Sequence, residues 1–249
     1  MSGHSKWSSI KHQKGAADAK RGQLFTKLTR EITIAAREGG GSPDTNFRLR
    51  LAVQKARDSN MPLDNIERSI RRGTGDLEGV TLSEITFEGY GPSGVAILVQ
   101  AVTDNRNRTL QETRNIFNRG GGNLSENGSV AWLFVSKGAI TVETGDLNAD
   151  EVTLLAIDVG AEDVTIESDH VEIFTKPDEL EAVRAALEQQ GIPINSAELC
   201  LSPKTTVELD EKPALQILKL LNKLEELDEV QCVYSNVDFS ESVLEQSQA

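Results

Sequence analysis

Residues 138–203 read GAITVETGDLNADEVTLLAIDVGAEDVTIESDHVEIFTKPDELEAVRAALEQQGIPINSAELCLSP. Apolar residues alternate with polar ones in four short runs, and two segments between them have helical spacing. The predicted order is strand, helix, strand, strand, helix, strand, which is that of a ferredoxin-like domain. The predicted elements are Ala139–Glu143, Asp150–Val159, Val164–Glu167, Val171–Phe174, Asp178–Gln190 and Ala197–Leu201.

The sequence on either side of this segment carries the two parts of another α/β domain. Before it, the pattern predicts two strands, a helix and a strand; after it, a strand, a helix and a strand. The later elements complete the earlier ones, so we expect one domain made of residues 77–137 and 204–249, with residues 138–203 inserted. Its predicted elements are strands around Ile85–Phe87 and at Val95–Val102 and Ser129–Val135, helix Asn105–Arg119, strand Thr206–Leu209, helix Glu211–Glu226 and strand Val230–Tyr234.

Residues 1–76 are predicted to form a helical domain that begins with a flexible arm. Apolar residues recur at helical spacing over Gln23–Glu38, from Pro43 to Ser59 with Asp44 or Thr45 as the cap, and from Pro62 to Gly73. The predicted fold class is therefore α+β with three domains: an N-terminal three-helix domain followed by two ferredoxin-like α/β domains, the third inserted in the second.

The charge of the chain is divided unevenly between its two parts. Residues 1–72 carry 15 Lys and Arg against 7 Asp and Glu, and residues 73–249 carry 11 against 32. A basic terminus on an acidic body is typical of a segment that binds a polyanion, because Lys and Arg displace counterions from phosphates. The predicted nucleic-acid-binding residues are Lys6, Trp7, Lys11, His12, Lys14, Lys20, Arg21, Lys27, Arg30, Arg48, Arg50, Lys55, Arg57, Arg68, Arg71 and Arg72.

The sequence leaves alternatives for how these residues contact nucleic acid. Trp7 either stacks on a base or anchors the arm against the helices. The three helices invite comparison with a helix-turn-helix, in which the third helix would enter the major groove. That helix opens with Leu63, Asp64 and Asn65 and carries its arginines last, so we favour phosphate contact over base readout.

Two further features lie in the acidic part of the chain. Four arginines fall in one predicted helix and its approach, and they are either a second phosphate contact or partners of nearby acids: Arg106, Arg108, Arg114 and Arg119. The insert 138–203 carries 2 basic residues against 15 acidic ones, which predicts contact with a basic protein rather than with nucleic acid.

The sequence gives little support to catalysis. It contains no GxSxG, HExxH or Walker A motif, and its three histidines are scattered, so we expect neither an enzyme nor a bound metal or cofactor. No apolar run reaches the roughly 18–20 residues that a membrane span needs, and no signal peptide is evident. We expect a cytoplasmic protein with reduced Cys200 and Cys232.

Four long motifs carry a family resemblance: SGHSKWSSIKHQKGAADAKRGQLFTKLTREI at 2–32, DNIERSIRRGTG at 64–75, FEGYGPSGVAILVQAVTDNRNRT at 87–109 and GGGNLSENGSVAWLF at 120–134. In these motifs the chain resembles the YebC/PmpR family, whose eukaryotic relatives include a mitochondrial translational activator of cytochrome oxidase. The resemblance covers nearly the whole chain and implies a helical domain followed by two α/β domains, the third inserted in the second.

The resemblance also implies a non-enzymatic regulator of gene expression, and family members have been described in two ways. One description is a DNA-binding transcriptional regulator; the alternative is a translation factor that binds ribosomal or transfer RNA and relieves stalling at proline-rich stretches. The sequence favours contact with phosphates in both cases. It does not decide between duplex DNA and structured RNA as the partner.

Overall fold

The computed structural model describes residues 18–145, 147–167, 170–240 and 242–243, with side chains from Arg21 onward. The chain divides into two compact units. One is the segment Phe134–Lys204, and the other combines the preceding residues with those from Thr205 onward. The predicted α+β class, a helical N-terminal domain followed by α/β domains, is confirmed. The domain limits set at residues 76, 137 and 203 stay predictions.

The helical domain consists of α1 (Asp18–Gly39), α2 (Phe47–Asp58) and α3 (Leu63–Thr74). Its core is built from the apolar positions that recur every three or four residues, among them Leu28, Ile32, Leu49 and Ile66, all at most 2 % exposed. The helices thus pack through the faces that the sequence pattern predicts.

The cap of α2 differs from the prediction. Asn46, rather than Asp44 or Thr45, accepts a hydrogen bond from the Leu49 backbone N–H at 3.0 Å. Its amide group also donates to the carbonyls of Ala35 and Gly40, at 2.7 and 2.8 Å. Asn46 therefore joins the start of α2 to the end of α1, and those two acceptors are within its reach only in the packed fold.

The first half of the split α/β domain contains β1 (Ser83–Tyr90), β2 (Ala96–Thr103), α4 (Arg106–Arg119) and β3 (Asn123–Ser125). The inserted unit contains β4 (Phe134–Glu143), α5 (Ala149–Asp158), β5 (Asp163–Ile166), β6 (His170–Thr175), α6 (Leu180–Gln189) and β7 (Ser196–Pro203). Its strands are all antiparallel in the order β5-β6-β4-β7, as in a ferredoxin-like sheet.

The second half of the split domain contains β8 (Val207–Glu208), α7 (Glu211–Glu225), β9 (Val230–Ser235) and β10 (Val237–Asp238). The four-stranded antiparallel sheet of this domain has the order β3-β1-β2-β9, so residues from both halves of the chain complete it. Phe117 of α4 and Ile217 of α7 belong to the same buried core beneath the sheet. No helix in the described ranges is long and apolar enough to cross a bilayer.

Two strand predictions are wrong in detail. Residues 131–133 form a 3-10 turn instead of strand, so Ser129–Val135 is not a continuous strand, and Asn123–Ser125 takes the edge position of the sheet. The segment Thr206–Leu209 is a strand only at Val207–Glu208, which pairs in parallel with β10 in a separate two-stranded sheet.

Candidate nucleic-acid interface

A shallow groove of about 240 Å³ lies between α1 and α3. The α3 side presents Asn65, Arg68, Ser69 and Arg72, and the α1 side presents Phe25, Thr26 and Thr29. Residues three, four and seven apart share a helix face, which places Asn65, Arg68 and Arg72 in one row. The groove therefore combines guanidinium groups, hydroxyl groups, an amide and an aromatic ring.

The arginines of α3 lie on the surface of the helical domain. Arg68, Arg71 and Arg72 are exposed, and within the described part of the chain none forms an ion pair. Arg21 is also exposed, and it precedes Phe25 by one turn on α1. An exposed guanidinium without a carboxylate partner can form two parallel hydrogen bonds to a phosphate.

Other basic residues of the helical domain bind the protein itself. The Lys27 ammonium donates to the Glu225 carbonyl at 2.6 Å, and Arg30 lies 3.4 Å from the Glu229 carboxylate. These contacts fix α1 against the split α/β domain. They place Lys27 and Arg30 in an intramolecular junction.

Arg48 and Arg50 are also engaged. Arg48 forms ion pairs with Glu38, at 2.5 Å, and with Glu84. Partial burial lowers the pKa of Arg48, but hydrogen bonds and attraction from the two carboxylates outweigh that effect and raise the pKa overall. The Arg50 guanidinium donates to the Pro43 carbonyl at 3.0 Å and lies over the Phe47 ring.

The remaining predicted residues fall into two groups. On α2, Lys55 is half-buried and Arg57 is exposed. Lys6, Trp7, Lys11, His12 and Lys14 lie outside the described residues, as does the side chain of Lys20. Their role in binding stays a prediction.

The four arginines of the α4 region do not form one surface. Arg108 lies 2.7 Å from Asp104 and 2.9 Å from Glu229, and its hydrogen bond to Asp104 is the main cause of the lowered pKa of that carboxyl group. Arg106 and Arg114 instead line a second groove, of about 890 Å³, between α4 and β1. Arg119 is exposed at the end of α4.

Sequence reasoning did not select the neutral residues of the first groove, Phe25, Thr26, Thr29, Asn65 and Ser69. Each has an ordinary role in an amphipathic helix, and only the packing of α1 against α3 brings them beside Arg68 and Arg72. Across the described ranges, no three His, Cys, Asp or Glu side chains are grouped so as to hold a metal ion.

Two family models together match most of the chain. One described as the TACO1/YebC protein N-terminal domain matches residues 5–76, and one described as the TACO1/YebC second and third domain matches residues 82–237. The chain belongs to the TACO1/YebC family. The α1–α3 groove thus lies in the N-terminal domain of this family, and the α4–β1 groove lies in the part matched by the second model.

Individual relatives match this chain over nearly its full length. A probable transcriptional regulatory protein of Dehalococcoides mccartyi is 60 % identical over 98 % of both chains. One of Moorella thermoacetica is 55 % identical over 99 % of both. The crystal structure of a conserved hypothetical protein from Aquifex aeolicus matches with a TM-score of 0.87 and 48 % identity, covering 93 % of this chain and 96 % of that one.

Proposed function

We propose that this TACO1/YebC protein is a non-catalytic regulator of gene expression that binds nucleic acid through the α1–α3 groove. The observation that carries the proposal is the pair of exposed arginines that line this groove, Arg68 and Arg72, which have no ion-pair partner among the described residues. The names of its bacterial relatives, probable transcriptional regulatory proteins, support a role in transcription, and we propose DNA as the polyanion for that role.

The chemistry of α3 favours contact with phosphates over reading of bases. Its first turns carry Asp64 and Glu67, both exposed, and carboxylates repel a DNA groove. The arginines occupy the second half of the helix, where they can bind the backbone and position the protein without specifying a sequence. Selectivity for particular genes then requires DNA shape or a partner protein.

The same observation favours a second candidate, a ribosome-associated translation factor. Folded RNA is recognised largely through its shape, phosphates and 2′-hydroxyl groups, which suits a groove with arginine, threonine and asparagine side chains. In this version the protein binds ribosomal or transfer RNA and relieves stalling at proline-rich stretches. The inserted domain, with 2 basic and 15 acidic residues, would contact basic protein.

The proposal is tested with the double variant Arg68→Ala, Arg72→Ala, assayed against duplex DNA and a folded RNA over a range of salt concentrations. We expect weaker binding and a slope of log K against log salt that is shallower by roughly 0.7–0.9 for each phosphate that the variant no longer neutralises. The matched control, Lys212→Ala with Lys219→Ala, removes two exposed positive charges elsewhere. If both double variants had the same slope of log K against log salt, the groove would not be part of the interface.

Crosslinking in growing cells, followed by sequencing of the attached nucleic acid, decides between the two candidates. Promoter DNA that persists after RNase treatment supports the transcriptional role. Discrete positions in ribosomal or transfer RNA support the translational one. Loss of either signal in the Arg68→Ala, Arg72→Ala variant ties it to the groove.

A further inference from the structure

One edge of β1 lacks a neighbouring strand over more than half of its length. β2 pairs with all of Ser83–Tyr90, whereas β3 pairs only with Glu88, Gly89 and Tyr90. Within the described residues, no strand covers positions 83–87 on that side. Such an edge presents backbone N–H and C=O groups that can pair with another chain.

The chain turns away from this edge because Glu88 binds it elsewhere. The Glu88 carboxylate accepts hydrogen bonds from the backbone N–H groups of Gly128, Val130 and Ala131, at 2.7, 2.7 and 2.8 Å. These contacts fix the path of residues 128–131, and the pairing of β3 with β1 ends at Ser125. The residues after β3 therefore form no ladder with positions 83–87.

The open edge borders the second groove. The α4 wall carries Arg106, Leu110 and Arg114 at positions four residues apart, and Leu124 adds a further apolar group. Ile85 and Phe87 of β1 also line it. A strand lying in this groove would place alternate side chains against an apolar surface and have the α4 arginines at its side.

The α4 wall is the positive side of the groove, and the acidic residues that line the groove lie on β1 and in the loop after β3. Glu84 is paired with Arg48, which also binds Glu38, Glu88 is bound by backbone donors, and Glu126 is exposed. Arg106 and Arg114 are exposed and have no ion-pair partner in the described part of the chain. The groove therefore offers two free guanidinium groups on a protein with a net charge of −13.

We infer that this groove binds an extended acidic peptide segment of a partner protein, which adds to β1 as an antiparallel or parallel strand. Eight helical residues separate Arg106 from Arg114, about 12 Å along the axis. Two carboxylates four residues apart on a strand are separated by about 13 Å and lie on the same face. The two spacings match, so backbone pairing and both ion pairs can form together.

A nucleic-acid strand fits the same groove less well. Phe87, the aromatic side chain that lines it, is only 4 % exposed and offers no open face for base stacking. A phosphate backbone also cannot match the alternating donors and acceptors of a sheet edge, which a peptide does by strand addition. The inference is independent of phosphate binding by the α1–α3 groove.

The test uses the full-length protein and a fluorescent, end-blocked heptapeptide with two glutamates four residues apart among alternating valine and threonine. Binding is followed by anisotropy, and amide hydrogen exchange is measured over residues 83–87. Two control peptides keep the length: one has N-methyl groups on the amides that would face β1, and one has lysines in place of the glutamates.

We expect the acidic peptide to bind and to protect amides of residues 83–87 from exchange, and both control peptides to bind more weakly. Arg106→Ala with Arg114→Ala should weaken binding by roughly three- to tenfold, the value of two exposed ion pairs. The Lys212→Ala, Lys219→Ala variant should bind like the wild type. This variant removes the same amount of positive charge.

Three results would overturn the inference. One is the absence of peptide binding at millimolar concentration. Another is binding that survives N-methylation without protection of residues 83–87. The third is a single-stranded oligouridylate that binds through Arg106 and Arg114 and displaces the peptide without protecting the edge, which would make the groove a nucleic-acid site.

Discussion

The Glu88 side chain binds backbone N–H groups of the loop after β3, which do not pair with a strand of the sheet. Its side chain is almost fully buried, and burial raises the pKa of its carboxyl group. The backbone N–H groups of Gly128, Val130 and Ala131 oppose that effect and lower the pKa overall. A carboxylate held by three amides is thus charged in the folded protein, and it fixes the path of the chain after β3.

Glu88→Gln should destabilise the protein by about 1–3 kcal/mol at neutral pH, because the neutral amide binds the backbone donors less strongly. Since the folded-state pKa of Glu88 lies below its unfolded value, its contribution is complete above about pH 5 and is lost as the pH falls through the folded pKa. Urea unfolding at pH 7 and pH 3 measures the difference.

Glu126→Gln is the matched control, since Glu126 is exposed in the loop whose backbone N–H groups Glu88 binds. It should leave stability unchanged at both pH values. A Glu88→Gln deficit of the same size at pH 3 and pH 7 would contradict the assigned role of the charge.

At the scale of elements, the approach of α1 to α3 depends on Gly73. A Cβ atom there would lie 2.4 Å from the Thr33 carbonyl oxygen and 2.7 Å from the Ala36 Cβ atom. Such distances require the helices to move apart. Gly73 therefore sets the width of the groove that holds Arg68 and Arg72.

Gly73→Ala should cost about 1–3 kcal/mol of stability through overpacking, although alanine is the better helix former. Nucleic-acid affinity should fall with it, because Arg68 and Arg72 move relative to Phe25 and Thr29. Thermal unfolding and the salt-dependent binding assay measure the two effects.

Gly22→Ala on α1 is the control, because a Cβ atom at Gly22 meets nothing within 4 Å. This change should stabilise the helix by roughly 0.5–1 kcal/mol. If Gly73→Ala raised stability as Gly22→Ala is expected to do, the close approach of α1 to α3 at Gly73 would not contribute to stability.

The sequence was sufficient to predict the elements whose pattern is local. The inserted sheet and the three helices follow from apolar periodicity, which reflects burial on one face. The strand predicted over Ser129–Val135 failed because Val130 and Ala131 donate to Glu88, some forty positions earlier. The cap at Asn46 was missed for the same reason, since the carbonyl of Ala35 that it binds belongs to α1.

The sequence was sufficient to predict that the candidate site is basic, but not which of its arginines are available to a ligand. Charge counting identifies a basic domain, yet it cannot separate Arg68 and Arg72 from Arg30 and Arg48, because the partners of the latter pair lie at Glu229 and Glu84. Ion pairs with residues far away in the sequence engage some arginines within the protein and leave others available to bind a ligand.

At the scale of the whole molecule, the helical domain is joined to the split domain through the segment 225–229. Lys27 donates to the Glu225 carbonyl, and Gln23 donates to that of Glu226. The buried Glu229 carboxylate lies between Arg30 and Arg108, at 3.4 and 2.9 Å. A single acidic side chain therefore links α1 to α4.

Glu229→Ala should lower the melting temperature by several degrees, because Arg30 is partly buried and would be left without its carboxylate partner. We expect the helical domain to melt before the sheet, which turns one calorimetric transition into two and exposes the core of that domain, buried at Leu28 and Ile32, to proteases.

Asp228→Ala, a change at the exposed neighbouring acid, should preserve a single transition. The linking role of Glu229 would be refuted if its variant melted at the wild-type temperature with one transition.

The interrupted sheet has a consequence for the order in which the protein can fold during its synthesis. The insert closes on itself, with Phe134 paired to Pro203, so it is complete once residue 204 has been made. β2 must wait for β9, whose Ser235 pairs with Ile97. Until both α7 and β9 have been made, the apolar core that includes Val99 is incomplete, and the nascent chain carries a complete inserted domain within an incomplete split domain. A pause in translation between residues 204 and 235 would prolong the exposure of that half-built sheet, which is the state most prone to aggregate.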